Sequence, residues 1–130
     1  MKKIFLIIVC ALLYNCKTYS QDITGKWKVT LTTDSDVETY SDVYWEFTSD
    51  GKCIQRMLDD NSVYDTHTYT LSHTTCDDGV QDKDLHLSMI GLQDGIKLCF
   101  EFNGMDTVNN RTTMVITNYD EAEPILLLKF

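Results

Sequence analysis

The sequence has one proline, Pro124, and only 11 basic residues against 20 acidic ones in 130. A single proline and a fair share of aromatics exclude a disordered, low-complexity chain. The shortage of lysine and arginine gives a formal charge of −9. Such a surface repels phosphates and anionic headgroups, so nucleic acid is not an expected partner. No stretch carries the apolar spacing of a helix of useful length. No CxxC or histidine-rich spacing marks a zinc site, and no glycine-rich loop is built to cradle phosphate. No Ser/His/Asp order and no basic-aromatic patch is present. The longest apolar run, from Ile4 to Tyr14, covers 11 residues and is too short to span a bilayer.

That run is instead the apolar part of a secretory leader. Lys2 and Lys3 precede it, and Thr18-Tyr19-Ser20 sets small residues at −3 and −1 of a cleavage site. Residues 1–20 are thus read as a signal peptide and residues 21–130 as one exported domain, in the periplasm, at the cell surface or outside the cell. The rival reading is a lipoprotein signal with a lipid anchor at Cys16. It asks for a small residue before the cysteine, where this chain has Asn15 preceded by Tyr14. Losing a leader that holds three lysines and no acid takes the domain to −12. About 110 residues remain, enough for one modest core.

Cys10 and Cys16 fall in the leader, leaving Cys53, Cys76 and Cys99. In an oxidising compartment three cysteines give one bridge and one free thiol. Three pairings are open.

Alternation with a period of two begins at Gly25. Over residues 24–33, Trp27, Val29 and Leu31 share one face, and Lys26, Lys28, Thr30 and Thr32 the other, as in a half-buried strand. Seven similar runs follow, at residues 42–48, 52–58, 63–72, 84–90, 96–103, 111–118 and 125–130. Asp50-Gly51 and Asp94-Gly95 mark hairpin turns. Residues 34–41, 74–83 and 103–110 read as polar connections. Pro124 opens the last strand, where its missing N–H costs little. A meander of eight strands exposes two edges unless it closes. The expected fold is therefore all-β, an eight-stranded antiparallel up-and-down β-barrel. A sandwich is the alternative, but no long Greek-key crossover is present.

The mature chain resembles the lipocalin-like domain proteins exported by bacteria of the Bacteroidetes type. Four features carry the resemblance. Gly25-Lys26-Trp27 opens the first strand just after the leader. Phe47-Thr48-Ser49-Asp50-Gly51-Lys52 looks like the second hairpin. Cys76 and Cys99 flank the Leu85-His86-Leu87 strand, and Leu126-Leu127-Leu128-Lys129-Phe130 closes the chain. The resemblance implies a lipocalin-like barrel with Trp27 plugging its closed end, and a Cys76–Cys99 disulfide. It also implies a basic residue covering the tryptophan, for which Lys129 is the candidate. Parity sets Lys129 opposite Leu126, Leu128 and Phe130.

With these faces inward, the barrel lining on the first two strands is Trp27, Val29, Leu31, Trp45 and Phe47. Farther round it is Tyr69, Leu71, Leu85, Leu87, Met89, Leu98, Phe100, Met114, Ile116, Leu126 and Leu128. Cys53, Gln55 and Met57 form the least core-like face; turned inward, it would dock the polar group of a ligand. Such an interior is filled by side chains or holds one small ligand. The expected function is the binding of a small apolar or amphipathic molecule in the barrel. The alternative is a non-catalytic surface or secreted interaction module, or inhibitor, using acidic loops at residues 34–42 and 77–84. His67 shares a face with Tyr69; His86, between Leu85 and Leu87, is expected to face solvent; His73 falls in a loop. No catalytic residue, metal or cofactor is expected. The Asn110-Arg111-Thr112 glycosylation pattern is read as chance.

Overall fold

The computed structural model describes residues 21–31 and 39–130. The leader, the cleavage site and Cys16 lie outside the described residues, as do residues 34–38 of the acidic connection. The described chain is all-β. Its strands are β1 (Gly25–Leu31), β2 (Thr39–Phe47), β3 (Lys52–Met57), β4 (Val63–Thr74), β5 (Gln81–Gly91), β6 (Lys97–Val108), β7 (Arg111–Asn118) and β8 (Pro124–Lys129). Each pairs antiparallel with the next, and β8 pairs back onto β1, so the eight close into a ring. Closure leaves neither end strand with a free row of N–H and C=O groups.

Residues directly opposite one another in an antiparallel pair share a face. The register therefore tells which side chains enter the ring. Trp27 opposes Trp45, Trp45 opposes Gln55, and Gln55 opposes Asp65, making one rung across four strands. The neighbouring rung runs Phe47, Cys53, His67, Gly91. Farther round, Leu71 faces Leu87, Leu87 faces Phe100, Met114 faces Leu127, and Leu127 faces Val29. The side chains in contact at the centre include Trp27, Phe47, Leu87, Met89, Met114 and Leu127. Each buried apolar side chain of this size contributes roughly 1.5–3 kcal/mol.

Trp27 is fully buried within the ring. Its indole N–H donates to Ile23 O at 2.9 Å, and Lys129 Nζ stands 5.6 Å from the ring centroid. Gly25 makes this possible: its φ is +130°, and a Cβ there would come within 2.7 Å of Lys129 Cε. The glycine two residues before the tryptophan is thus favoured by its positive φ, and it leaves room for the lysine chain to cross.

This corrects the assignment of the last strand. Leu127, fully buried, enters the ring; Leu126, 37 % exposed, and Leu128 face outward. Lys129 shares the inward parity of Leu127 and so reaches Trp27. Three consecutive leucines have no internal polar marker of face, and the pairing with β7 and β1 decides it. Leu31 is a second correction. It ends β1 one residue past the last β8 pair and is 49 % exposed, so it does not line the interior.

The third correction is at residues 103–110, of which 103–108 are strand and not loop. β6 continues to Val108 through an irregularity at Gly104, whose φ is +149°. Asn109 and Asn110 then turn the chain with φ of 52° and 63°, the two-residue hairpin geometry that asparagine tolerates. β5 likewise begins at Gln81, and His73 lies within β4, its Nδ1 3.1 Å from Asp84 O.

Cys76 and Cys99 form the disulfide, with Cα atoms 5.7 Å apart. It ties the β4–β5 connection to the outer face of β6. Cys53 is the free thiol, buried on the inward face.

Candidate functional site: the polar sector inside the ring

The interior is not uniformly apolar. On β4, strand alternation turns Asp65, His67, Tyr69 and Leu71 to the same side, and the register sets Gln55 beside Asp65 and Cys53 beside His67. The candidate ligand-binding residues of the sequence divide accordingly. Trp27, Phe47, Leu87, Phe100 and Met114 are buried in the core, and Val29, Trp45 and Tyr69 pack against it. Gln55 and Met57 are half-buried on the inward face of β3. Leu31 stands apart, as described.

The aromatic members touch one another edge to face. Trp45 lies 6.2 Å from Phe47 and 6.0 Å from Phe100, and Phe47 lies 4.9 Å from Tyr69. These are favourable centroid separations for aromatic pairs. The Tyr69 hydroxyl donates to Thr48 O at 3.0 Å. Burial raises its pKa, with Asp22, Cys53 and Asp50 adding to the effect. Tyr69 is therefore a neutral, tethered wall of the site.

His67 is different. It is only 5 % exposed, and its Nδ1 is buried with no hydrogen-bond partner among the described residues. Its Nε2 stands 3.7 Å from Asp65 Oδ2, beyond hydrogen-bonding reach. Asp65 Oδ1 accepts from the Thr66 amide at 2.8 Å. Buried polar atoms in folded proteins almost always find partners, so an orphaned imidazole nitrogen inside a ring of aromatics is exceptional.

Cys53, His67 and Asp65 together invite comparison with a thiol protease centre, and the geometry answers it. His67 Nδ1 makes no hydrogen bond to the Cys53 sulfur. Burial pushes the Cys53 thiol far above its ordinary pKa, whereas a thiol nucleophile needs a lowered one. The trio has the residue types of a nucleophile site without the activation.

A cavity of about 390 Å³ opens where β2 begins and β3 ends, lined among the described residues by Asp42, Met57, Leu58 and Asp59. Met57 is also the last inward residue of β3.

A second buried histidine lies outside the ring. Alternation predicts a solvent-facing His86, yet it is 4 % exposed. The Tyr119 hydroxyl covers its Nδ1, and its Nε2 stands 3.2 Å from Asp82 Oδ2. Burial raises the Tyr119 pKa, partly opposed by the Cys76 backbone, so the phenol is a neutral donor to Nδ1. The Asp82 carboxylate, held below its usual range first by the Lys83 amide, then accepts a hydrogen bond from Nε2–H. Tyr119 N also donates to Cys99 O at 3.0 Å. The group straps the β7–β8 connection onto β5 and β6, beside the disulfide. Sequence alternation could not reveal it, because the cover for His86 arrives from 33 residues away.

Among the described residues no group of three His, Cys, Asp or Glu side chains is placed to hold a metal ion. No helix of the described residues is long and apolar enough to cross a membrane. The chain matches no protein-family model, and no curated protein matches it.

Proposed function

We propose that this protein is an exported, lipocalin-like β-barrel that carries a small amphipathic molecule and does no chemistry on it. One observation supports the reading above the others: the orphaned Nδ1 of His67, buried within an aromatic interior. Leaving a buried polar atom unsatisfied costs about 1–3 kcal/mol. A ligand whose head group reached His67 would remove that penalty, while its apolar body packed on Trp45, Phe47 and Phe100. The disulfide is in keeping with an oxidising compartment.

Native mass spectrometry of the exported protein is the direct test, followed by solvent extraction. The expected result is a mass excess that disappears on denaturation. A bare mass, together with unchanged tryptophan emission on titration with apolar and amphipathic probes, would overturn the carrier reading. A second reading then takes over, a protein-interaction or inhibitor module with a filled barrel. It is favoured by the exposed apolar side chains Tyr64, Ile90, Leu92 and Ile96 around the β3–β4 and β5–β6 turns.

A further inference from the structure

Resting on the carrier reading, we infer that the ligand is an amphipathic primary amine whose ammonium group lies between Trp45, Gln55 and Asp65. The three belong to one rung, Trp45 opposite Gln55 and Gln55 opposite Asp65. Directly paired side chains on one face stand about 5 Å apart at Cβ, so Trp45 and Asp65 lie about 10 Å apart with Gln55 between them, and a cation lodged over Gln55 is within side-chain reach of both. Each offers something a cation needs. Asp65 presents a carboxylate whose Oδ1 is taken by the Thr66 amide, while its Oδ2 stands too far from His67 Nε2 to be hydrogen-bonded to it. Gln55 offers an amide oxygen. Trp45 offers an indole ring, and ring faces attract ammonium groups.

The orphaned Nδ1 of His67 is the independent sign that this sector is built for an occupant. His67 is 5 % exposed and follows Asp65 on the same face of β4. In the tautomer with its proton on Nε2, beside Asp65, Nδ1 is an acceptor. The sector then presents acceptors from Asp65, Gln55 and His67, which suits a group with three N–H donors.

The cavity beside Met57 has the same sign, lined among the described residues by the carboxylates of Asp42 and Asp59. A cleft lined by one sign of charge concentrates ligands of the other. An anionic head group, such as a fatty carboxylate, finds the reverse. Lys129 is the one lysine with inward parity on β8, and it is engaged over Trp27, four strands round the ring from Asp65.

The test compares three ligands of one chain length: decylamine, decanoate and decanol. Each is titrated into the purified, solvent-extracted protein at neutral pH below its aggregation limit, with tryptophan emission and calorimetry as readouts. Decylamine is expected to bind about tenfold or more tighter than decanoate, the worth of one charge-assisted hydrogen bond. Asp65→Asn keeps the shape and removes the charge. It should abolish that preference, bringing the decylamine and decanoate affinities within about twofold of each other. Decanoate binding as tightly as decylamine would overturn the amine assignment while leaving the carrier reading intact. A preference that survives in D65N would overturn it too. Binding of none of the three would count against the carrier reading itself. The wild-type comparison does not depend on the variant folding.

Discussion

Leu127→Ala is the sharpest test of how the ring closes. Leu127 is fully buried, paired with Met114 on one side and Val29 on the other. Truncation removes three carbons from a site walled by two strands. Neither strand can move inward without disturbing its own ladder. Leucine-to-alanine changes in such cores cost about 2–5 kcal/mol, and the rigid closure places this one near 3 kcal/mol. For a domain of this size that corresponds to a fall in Tm of about 12–18 °C. The same change at Leu126, which is 37 % exposed and faces outward, should stay within about 0.5 kcal/mol. Leu128→Ala should fall between the two. The measurement is thermal and urea unfolding of the three variants beside the wild type, followed by near-ultraviolet circular dichroism. Leu126→Ala or Leu128→Ala costing more than Leu127→Ala would refute the register of β8, and with it the placing of Lys129 over Trp27.

Three further predictions follow from the same geometry. Replacing both Cys76 and Cys99 by serine opens a loop with a sequence separation of 23; chain entropy puts the loss at about 3 kcal/mol, read as a lower urea midpoint. Cys53, buried and with its pKa raised by burial, should resist a thiol reagent in the native protein and react fully on unfolding; rapid native labelling would contradict its position. Stability should also fall in acid. The Thr48, Ser62 and Thr75 hydroxyls hold Asp50, Asp60 and Asp78 below the ordinary carboxylate value. Because the native values are depressed, their contribution is complete above the ordinary carboxylate pKa and is lost as pH falls through the lowered ones. The urea midpoint should be flat from neutrality to about pH 5 and decline below about pH 4; a midpoint that held constant to pH 2 would contradict these turn hydrogen bonds.

Much of the ring could be read directly from the chain. Trp27-x-Val29, Trp45-x-Phe47 and Leu85-x-Leu87 alternate with polar neighbours, so each run carries its own record of which face is wet. Asp50-Gly51 and Asp94-Gly95 mark their turns because only a few residues accept positive φ there; Gly51 and Gly95 adopt 85° and 68°. The polar sector was half legible. Cys53, Gln55 and Met57 stood out as the least core-like face, but Asp65 escaped notice because an acid near a strand end reads as surface.

The sequence by itself determined the all-β character, the number of strands and most of their facing, since those properties are local and repeat every two residues. Tertiary structure alone decided what depends on pairing across the ring. It chose Leu127 over its two leucine neighbours, brought Lys129 to Trp27, buried His86 under Tyr119, and set Asp65 beside Gln55 with His67 unpartnered. Each of those outcomes is fixed by the register of a strand distant in the chain, and a period of two is blind to the partner on which it is laid.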